Sequence, residues 1–268
     1  MTMPRFKTLE ISNPAYERDN LRFITVSTPN LKGRGDIIVY VPPGTLKTDT
    51  LPLVILLHGV YGSAWSWPYA SGVHLKVNEL ITTGELPPMI LAMPSDGLWG
   101  DGSGYLPLDG YDFEKWIAVD VPDALYECID GATKASPLFI SGLSMGGFGA
   151  LRIGARYGDR FNAISGHSSI TSLPQLKYFT DEPLKYYAQN NSTDEDLFET
   201  FLAYRGQLPP LQFDCGTDDI LIKYNRTLHK KMEKAGIPHI YQENPGGHEW
   251  PYWSKHIIDS LKFFAENR

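Results

Sequence analysis

The sequence predicts an α/β fold with a mostly parallel central sheet, helices on both faces of that sheet and an antiparallel hairpin at the N-terminus. From residue 53 onward, apolar strand-like runs alternate with helix-like runs, as in chains built from β-α-β units. With 268 residues, the chain can bury a large core without disulfides. We expect one domain over residues 1–268, with a small cap-like insertion around residues 170–210, where the alternation becomes irregular.

The individual strands and helices follow from local patterns. Two β-rich runs, at residues 23–27 and 36–41, flank a turn that contains proline, asparagine and glycine, and this predicts the hairpin. The run at residues 53–57 is continuously apolar, as a strand buried on both faces should be. Further strands are predicted at residues 89–93, 138–141, 162–168, 211–215 and 239–243. Helices are predicted at residues 73–83, 111–130, 148–157, 193–204, 220–235 and 253–266. The second of these helices contains Pro122 and is expected to bend or restart there.

Charge and hydropathy narrow the class of partner. The net charge is −7, so neither nucleic acid nor an anionic membrane surface is an expected partner. No stretch is long and apolar enough to span a bilayer, and the first residues lack the apolar core of a signal peptide. Cys128 and Cys215 are far apart in sequence and are predicted to be buried free thiols, which fits a reducing compartment. We therefore expect a cytoplasmic protein.

The motif GLSMGG at residues 142–147 stands between a strand-like run and a small-residue helical run. In this setting Gly-x-Ser-x-Gly is typical of a nucleophile elbow, a sharp turn that presents the serine hydroxyl above the edge of the sheet. Glycines at positions 142 and 146 let the turn close, because a Cβ there would crowd the neighbouring strand or helix. The motif predicts Ser144 as a catalytic nucleophile.

A serine hydroxyl needs a neighbouring base, and histidine can take and return a proton near neutral pH. Seven histidines compete for this role. His58 belongs to a second motif, His167 ends a predicted strand near the site, and four others lie within predicted helices or open a strand. His248 follows a strand on a Gly-Gly loop and comes after the serine in the chain order expected of an α/β-hydrolase. We predict His248 as the base.

The acid that orients this histidine is expected near the end of the strand at residues 211–215. Asp214 lies inside that strand and is expected to be structural. Asp218 and Asp219 are neighbours, so only one of their side chains can reach the histidine, and the other is expected to cap the following helix. The residue pattern alone leaves the choice between these two aspartates open.

The segment His58-Gly59-Val60 ends a predicted central strand and is expected to complete an oxyanion hole. A tetrahedral intermediate needs two backbone donors, one from the residue after the nucleophile and one from the loop after the third strand. The N–H groups of Val60 and Met145 are the candidates for these donors.

Four segments together resemble the esterase D-like branch of the α/β-hydrolase superfamily. They are HGVYG at 58–62, GLSMGGFGA at 142–150, GTDDIL at 216–221 and GGHEW at 246–250. That branch holds S-formylglutathione hydrolases, feruloyl and acetyl-xylan esterases, small carboxylesterases and mycolyltransferases. The resemblance implies an α/β-hydrolase fold and a serine esterase. In such proteins the acid lies three positions after the strand-end glycine, which implies Asp219, and the oxyanion donors lie at Val60 and Met145.

These residues predict a serine carboxylesterase that hydrolyses short-chain, aryl or sugar carboxylic esters through an acyl-enzyme. Several aromatic residues follow the motifs, and Trp65, Trp99 and Trp250 are expected to line the substrate pocket. The expected partner is a small-molecule ester, and a homodimer is the assembly to test. An acyltransferase with the same triad and an S-formylglutathione hydrolase are the alternatives.

No cofactor and no metal are expected. No Cys/His cluster has metal-ligand spacing. The glycine-rich segment GDGSG at residues 100–104 suggests a phosphate cradle, but no helix opens directly after it. We therefore assign this segment no function from the sequence.

Overall fold

A nine-stranded sheet and a separate two-stranded hairpin organise the structure, a computed structural model that describes residues 5–268. The first residues of the region searched for a signal peptide lie outside this range. The strands are β1 (Thr8–Ile11), β2 (Leu21–Thr28), β3 (Gly33–Tyr40), β4 (Leu53–Leu57), β5 (Ile90–Pro94), β6 (Pro107–Leu108), β7 (Tyr111–Asp112), β8 (Leu138–Gly142), β9 (Ala163–His167), β10 (Leu211–Gly216) and β11 (Ile240–Asn244).

The large sheet has the order β1-β2-β3-β5-β4-β8-β9-β10-β11, and β6 pairs with β7. The pairs among β1, β2, β3 and β5 are antiparallel, and every pair from β5 to β11 is parallel. The predicted mostly parallel sheet and N-terminal hairpin are confirmed. The edge strand β1 was not predicted, because its largely exposed residues form no apolar run.

Helices cover both faces of the sheet. They are α1 (Val73–Thr82), α2 (Phe113–Lys115), α3 (Val121–Cys128), α4 (Met145–Arg156), α5 (Leu197–Ala203), α6 (Ile222–Ala235) and α7 (Trp250–Glu266). The helices α1 and α7 pack in one hydrophobic cluster, and α3, α4 and α6 pack in another. Along β4, Ile55 belongs to one cluster and its neighbours Val54 and Leu56 to the other. This alternation explains the continuously apolar sequence of a strand buried on both faces.

Two predicted helices are shorter than the sequence pattern indicated. The helix expected at residues 111–130 begins only at Phe113, and a widened π-type turn interrupts it just before Pro122. This position agrees with the expected restart, because proline has no N–H to continue the ladder. The helix expected at residues 193–204 is interrupted at Asp196, whose backbone is extended and whose carboxylate accepts the first N–H groups of α5.

Within residues 5–268, no helix combines the length and the apolar character needed to cross a membrane.

Both cysteines in this range are free, with Cys215 buried in β10 and Cys128 partly buried at the end of α3. Burial raises the pKa of the Cys128 thiol to about 11, which keeps it protonated and unreactive near neutral pH.

Candidate active site

The turn between β8 and α4 presents Ser144 at the carboxyl end of the sheet. Ser144 has φ 55° and ψ −118°, a conformation that a non-glycine residue rarely adopts. Its N–H donates to the carbonyl of His167 at 2.9 Å, so the strained turn is fixed from the neighbouring strand β9. A Cβ at Gly142 would collide with the carbonyl of Gly146, and one at Gly146 would collide with the carbonyl of His58. The two glycines allow this close approach.

The close approach of Gly146 to β4 predicts the effect of adding one methyl group at this position. We expect Gly146→Ala to lower the free energy of unfolding by about 1–3 kcal/mol, because backbone atoms of β4 must move. We also expect esterase activity to fall on the order of 10²-fold, because the displaced carbonyl belongs to His58, which begins the predicted oxyanion loop at residues 58–62. The matched control is Gly206→Ala, since no heavy atom lies within 4 Å of a Cβ built there. Equal melting temperatures and equal rates for the two variants would contradict the prediction.

Ser144, His248 and Asp219 form a continuous chain of hydrogen bonds. His248 Nε2 lies 2.9 Å from Ser144 Oγ, and His248 Nδ1 lies 2.9 Å from Asp219 Oδ2 and 3.1 Å from Asp219 Oδ1. The carboxylate can only accept, so Nδ1–H donates to Asp219 and Nε2 accepts the serine hydroxyl. Asp219 is 3% exposed, whereas the His248 side chain retains 18% exposure and can meet an incoming substrate.

The structure separates the two neighbouring aspartates. Asp218 is exposed, and its carboxylate makes no hydrogen bond to any residue in the described range, while its N–H donates to the carbonyl of Gly246 at 3.0 Å. The sequence-based expectation that the second aspartate caps the following helix is wrong. Asp219 itself accepts the N–H of Leu221 at 2.8 Å, and α6 begins without a side-chain cap. The carboxylate that touches the histidine therefore also shapes the turn before α6.

The imidazole of His248 is held between two aromatic side chains. The Phe179 ring stacks on it at a centroid distance of 4.8 Å and an interplanar angle of 23°. Trp253 meets it edge-on at 5.0 Å and 90°. Sequence reasoning missed both contacts. Trp253 had a detectable signal, since it begins the helix predicted after the histidine loop. Phe179 lies in the irregular segment between β9 and β10, which carries no motif.

The loop after β4 lies directly against the elbow. A Cβ built on Gly59 would lie 3.4 Å from the Cβ of Ser144, so the backbone that leads to Val60 is beside Ser144. As the first residue of α4, Met145 has no acceptor for its N–H within the helix. His58 holds the loop, since its Nδ1 bonds the carbonyl of Gly59 at 2.7 Å and its Nε2 accepts the N–H of Asp96 at 3.1 Å. His58 thus has a supporting position.

His167 belongs to a second, fully buried polar network beneath the site. Its Nδ1 bonds Asp214 Oδ2 at 2.6 Å and its Nε2 bonds Ser260 Oγ at 3.0 Å. The hydroxyl of Tyr252 donates to Asp214 Oδ1 at 2.7 Å. Burial is the main cause that raises the pKa of Tyr252, and the nearby Asp214 carboxylate raises it further. The Tyr252 hydroxyl therefore stays protonated and remains a donor. His167 is 0% exposed and therefore cannot meet a substrate in this arrangement.

The three tryptophans expected in the substrate pocket have different surroundings. Trp65 is 52% exposed on the loop that follows the oxyanion segment. Trp99 packs edge-on against Tyr187 at 5.6 Å. Trp250 packs edge-on against Trp67 at 5.6 Å and against Trp253 at 5.4 Å. Trp250 therefore contacts Trp253, which in turn contacts His248, while Trp65 is largely exposed to solvent.

The fold and this site define a class of protein. A serine on a strained strand-to-helix turn, bonded to a histidine that is bonded in turn to a buried aspartate, is typical of a serine hydrolase with the α/β-hydrolase fold. The chain belongs to the Esterase family, whose model carries the description "Putative esterase" and matches residues 28–264. The enzyme is a carboxylic ester hydrolase.

Relatives and solved structures agree with this family. An acetyl esterase of Caldicellulosiruptor saccharolyticus is 26% identical over 266 residues, which cover 92% of this chain and 92% of that protein. A ferulic acid esterase superposes with a TM-score of 0.79 at 22% identity, covering 97% of this chain and 99% of the other. The S-formylglutathione hydrolase of Staphylococcus aureus gives a TM-score of 0.78 at 18% identity, over 96% and 99% of the two chains. These structures share the fold.

Proposed function

We propose that Ser144, His248 and Asp219 hydrolyse a short-chain carboxylic ester through an acyl-enzyme. The observation that carries this proposal is the position of His248, whose two ring nitrogens are bonded to Ser144 and Asp219 at the same time. A serine hydroxyl becomes an effective nucleophile when an adjacent base takes its proton as it attacks. Asp219 keeps the proton on Nδ1, so that Nε2 is free to accept.

The reaction proceeds in two halves on these residues. In the first half, Ser144 Oγ attacks the ester carbonyl, and His248 takes the hydroxyl proton and then returns it to the leaving alcohol. In the second half, water attacks the acyl-enzyme, with His248 again taking and returning a proton, and the acid leaves. The N–H groups of Val60 and Met145 stabilise the tetrahedral oxyanion in both halves. Backbone donors aimed at a developing charge contribute strongly because they need no reorganisation.

The acyl group is proposed to be small. The acetyl esterase relative covers nearly the whole chain and so supports an acetyl-type acyl group for this enzyme. The test is a panel of p-nitrophenyl esters of increasing acyl length, with methyl ferulate, acetylated xylan and S-formylglutathione as competitors. We expect kcat/KM to be highest for acetate or another short ester. Preference for methyl ferulate or for S-formylglutathione would replace this proposal with the aryl ester or the thioester.

The pH dependence follows from the proton that His248 must accept. Histidine in general changes its charge between about pH 5 and 8, and only the neutral ring acts as a base. We therefore expect kcat/KM to fall as the pH is lowered across this range and to level off above it. Initial rates on p-nitrophenyl acetate, with enzyme stability checked at each pH, measure this profile. A profile that is flat over the whole range would argue against a histidine base.

Water is proposed as the acyl acceptor, because the relative and the solved structures cited above carry the names of hydrolases. The acyltransferase alternative predicts that added glycerol raises the yield of acylated glycerol at the expense of free acid. Product ratios with and without glycerol separate the hydrolase from the acyltransferase.

We also propose that the enzyme works in the cytoplasm on a small-molecule ester. Light scattering in solution tests whether it forms a homodimer.

A further inference from the structure

The insertion segment that carries Phe179 is anchored by the two residues that follow it. Thr180 Oγ1 donates to Asp101 Oδ2 at 2.8 Å, and the N–H of Asp181 donates to the same oxygen at 3.3 Å. Thr180 is 8% exposed, so its bond to the carboxylate is largely shielded from water. Charge-assisted hydrogen bonds of this kind are stronger than neutral ones. Asp101 therefore fixes the backbone immediately after Phe179.

Asp101 also contacts the oxyanion loop, through its main chain. Its carbonyl accepts the N–H of Tyr61 at 2.7 Å, one residue after the oxyanion donor Val60. Tyr61 has φ 59° and is 65% exposed, so burial of its ring does not compensate this strained backbone, and the bond to Asp101 helps to hold it. A Cβ built at Gly102 would lie 2.6 Å from Met145 Sδ and 3.5 Å from Val60 Cα. The loop that carries Asp101 and Gly102 thus lies against the Met145 side chain and the Val60 backbone.

We propose that Asp101 is a positioning residue, whose carboxylate holds the Phe179 ring against His248 and ties the insertion to the oxyanion loop. This inference rests on the proposed esterase function and assigns a role to the glycine-rich segment at residues 100–104. Asp101 then connects two parts of the proposed active site, the base His248 and the oxyanion hole. The Asp101 side chain accepts hydrogen bonds from the insertion, and its main-chain carbonyl accepts one from Tyr61 of the oxyanion loop.

Phe179 contributes to the position and to the charge of the imidazole. Its ring covers one face of His248, and Trp253 meets the ring edge-on, so rotation of the imidazole away from Ser144 is opposed by packing. The imidazole becomes positively charged when it takes the serine proton, and a cation placed over an aromatic face is attracted by it. Loss of the Asp101 carboxylate would let Phe179 withdraw and would free the ring.

A double-mutant cycle on Asp101 and Phe179 tests this coupling. The variants are Asp101→Ala, Phe179→Leu and the double variant, assayed for kcat and KM on p-nitrophenyl acetate together with melting temperature. We expect Asp101→Ala to lower kcat about 10- to 100-fold with little change in KM, since a small misplacement of a catalytic group has effects of this size. In the Phe179→Leu background, we expect the same change to lower kcat by no more than about threefold, because coupled residues are not additive.

Two further variants separate positioning from a merely structural role. Asp101→Asn keeps a carbonyl oxygen at this position and is expected to restore most of the kcat lost in Asp101→Ala. Asp196→Ala removes the cap of α5 in the same insertion, where the carboxylate accepts the N–H groups of Phe198 and Glu199, and is expected to lower the melting temperature while kcat is kept. An Asp101→Ala effect that persists undiminished without the Phe179 ring would overturn the proposal, as would an equal kcat loss in Asp196→Ala. A wild-type enzyme without esterase activity would instead contradict the proposed function.

Discussion

Ser144→Ala is expected to remove nearly all esterase activity while the protein remains folded. The loss in kcat should be on the order of 10⁶-fold, the size seen when the nucleophile of a serine protease is removed. Stability should change little, because the hydroxyl that alanine removes bonds, among residues 5–268, only the partly exposed His248 ring. The strained backbone at this position is retained in the variant. Rates on p-nitrophenyl acetate and thermal unfolding measure the two effects.

The chain supplies a matched control for this variant in Ser141, which lies on β8 just before the turn that carries Ser144. Ser141 is 0% exposed, and its hydroxyl has no hydrogen-bond partner within the described range. We expect Ser141→Ala to keep wild-type activity and to lose no stability, because no hydrogen bond is removed. A fluorophosphonate probe should label the wild type and Ser141→Ala but not Ser144→Ala. Labelling and near wild-type turnover by Ser144→Ala would remove the nucleophile from the proposal.

The main parts of the sheet and the positions of the motifs could be predicted because they depend on local sequence patterns. The run at residues 53–57 is apolar throughout, and the structure buries every residue of β4. Parallel strands place their carboxyl ends at one edge, so motifs that follow different strands meet in space. Ser144 and His248 are 104 residues apart in sequence and still hydrogen bonded.

Other features depend on contacts that no local pattern encodes. Adjacent residues such as Asp218 and Asp219 differ mainly in side-chain direction, which is set by the Asp218 N–H bond to Gly246 and the Asp219 bond to Leu221. Thr180, the residue after Phe179, donates to the Asp101 carboxylate, which lies 79 residues earlier in the chain. Aromatic residue type likewise indicates burial or a pocket, but it does not show which neighbour a ring packs against.

Asp219→Asn is expected to leave the fold intact and to lower kcat on the order of 10⁴-fold. In serine proteases the same change at the buried acid leaves the geometry in place but favours the wrong histidine tautomer, and the loss has this size. The physical reason applies here, because both carboxylate oxygens of Asp219 lie within 3.1 Å of His248 Nδ1. An amide nitrogen at this place would donate toward Nδ1 and move the ring proton to Nε2, where it blocks acceptance from Ser144.

Asp218→Asn provides the control one residue away, with the same change in charge. Its exposed carboxylate has no bonded partner in the described range, so we expect activity and melting temperature close to wild type. Both variants are checked for folding by circular dichroism and assayed on p-nitrophenyl acetate at about pH 8, where histidine in general is neutral. An inactive Asp218→Asn beside an active Asp219→Asn would mean that the loop after Gly216 turns the other carboxylate toward the base. Because the two variants share the same change in net charge, the difference between them reports the contacts that only Asp219 makes, to His248 and to the N–H of Leu221.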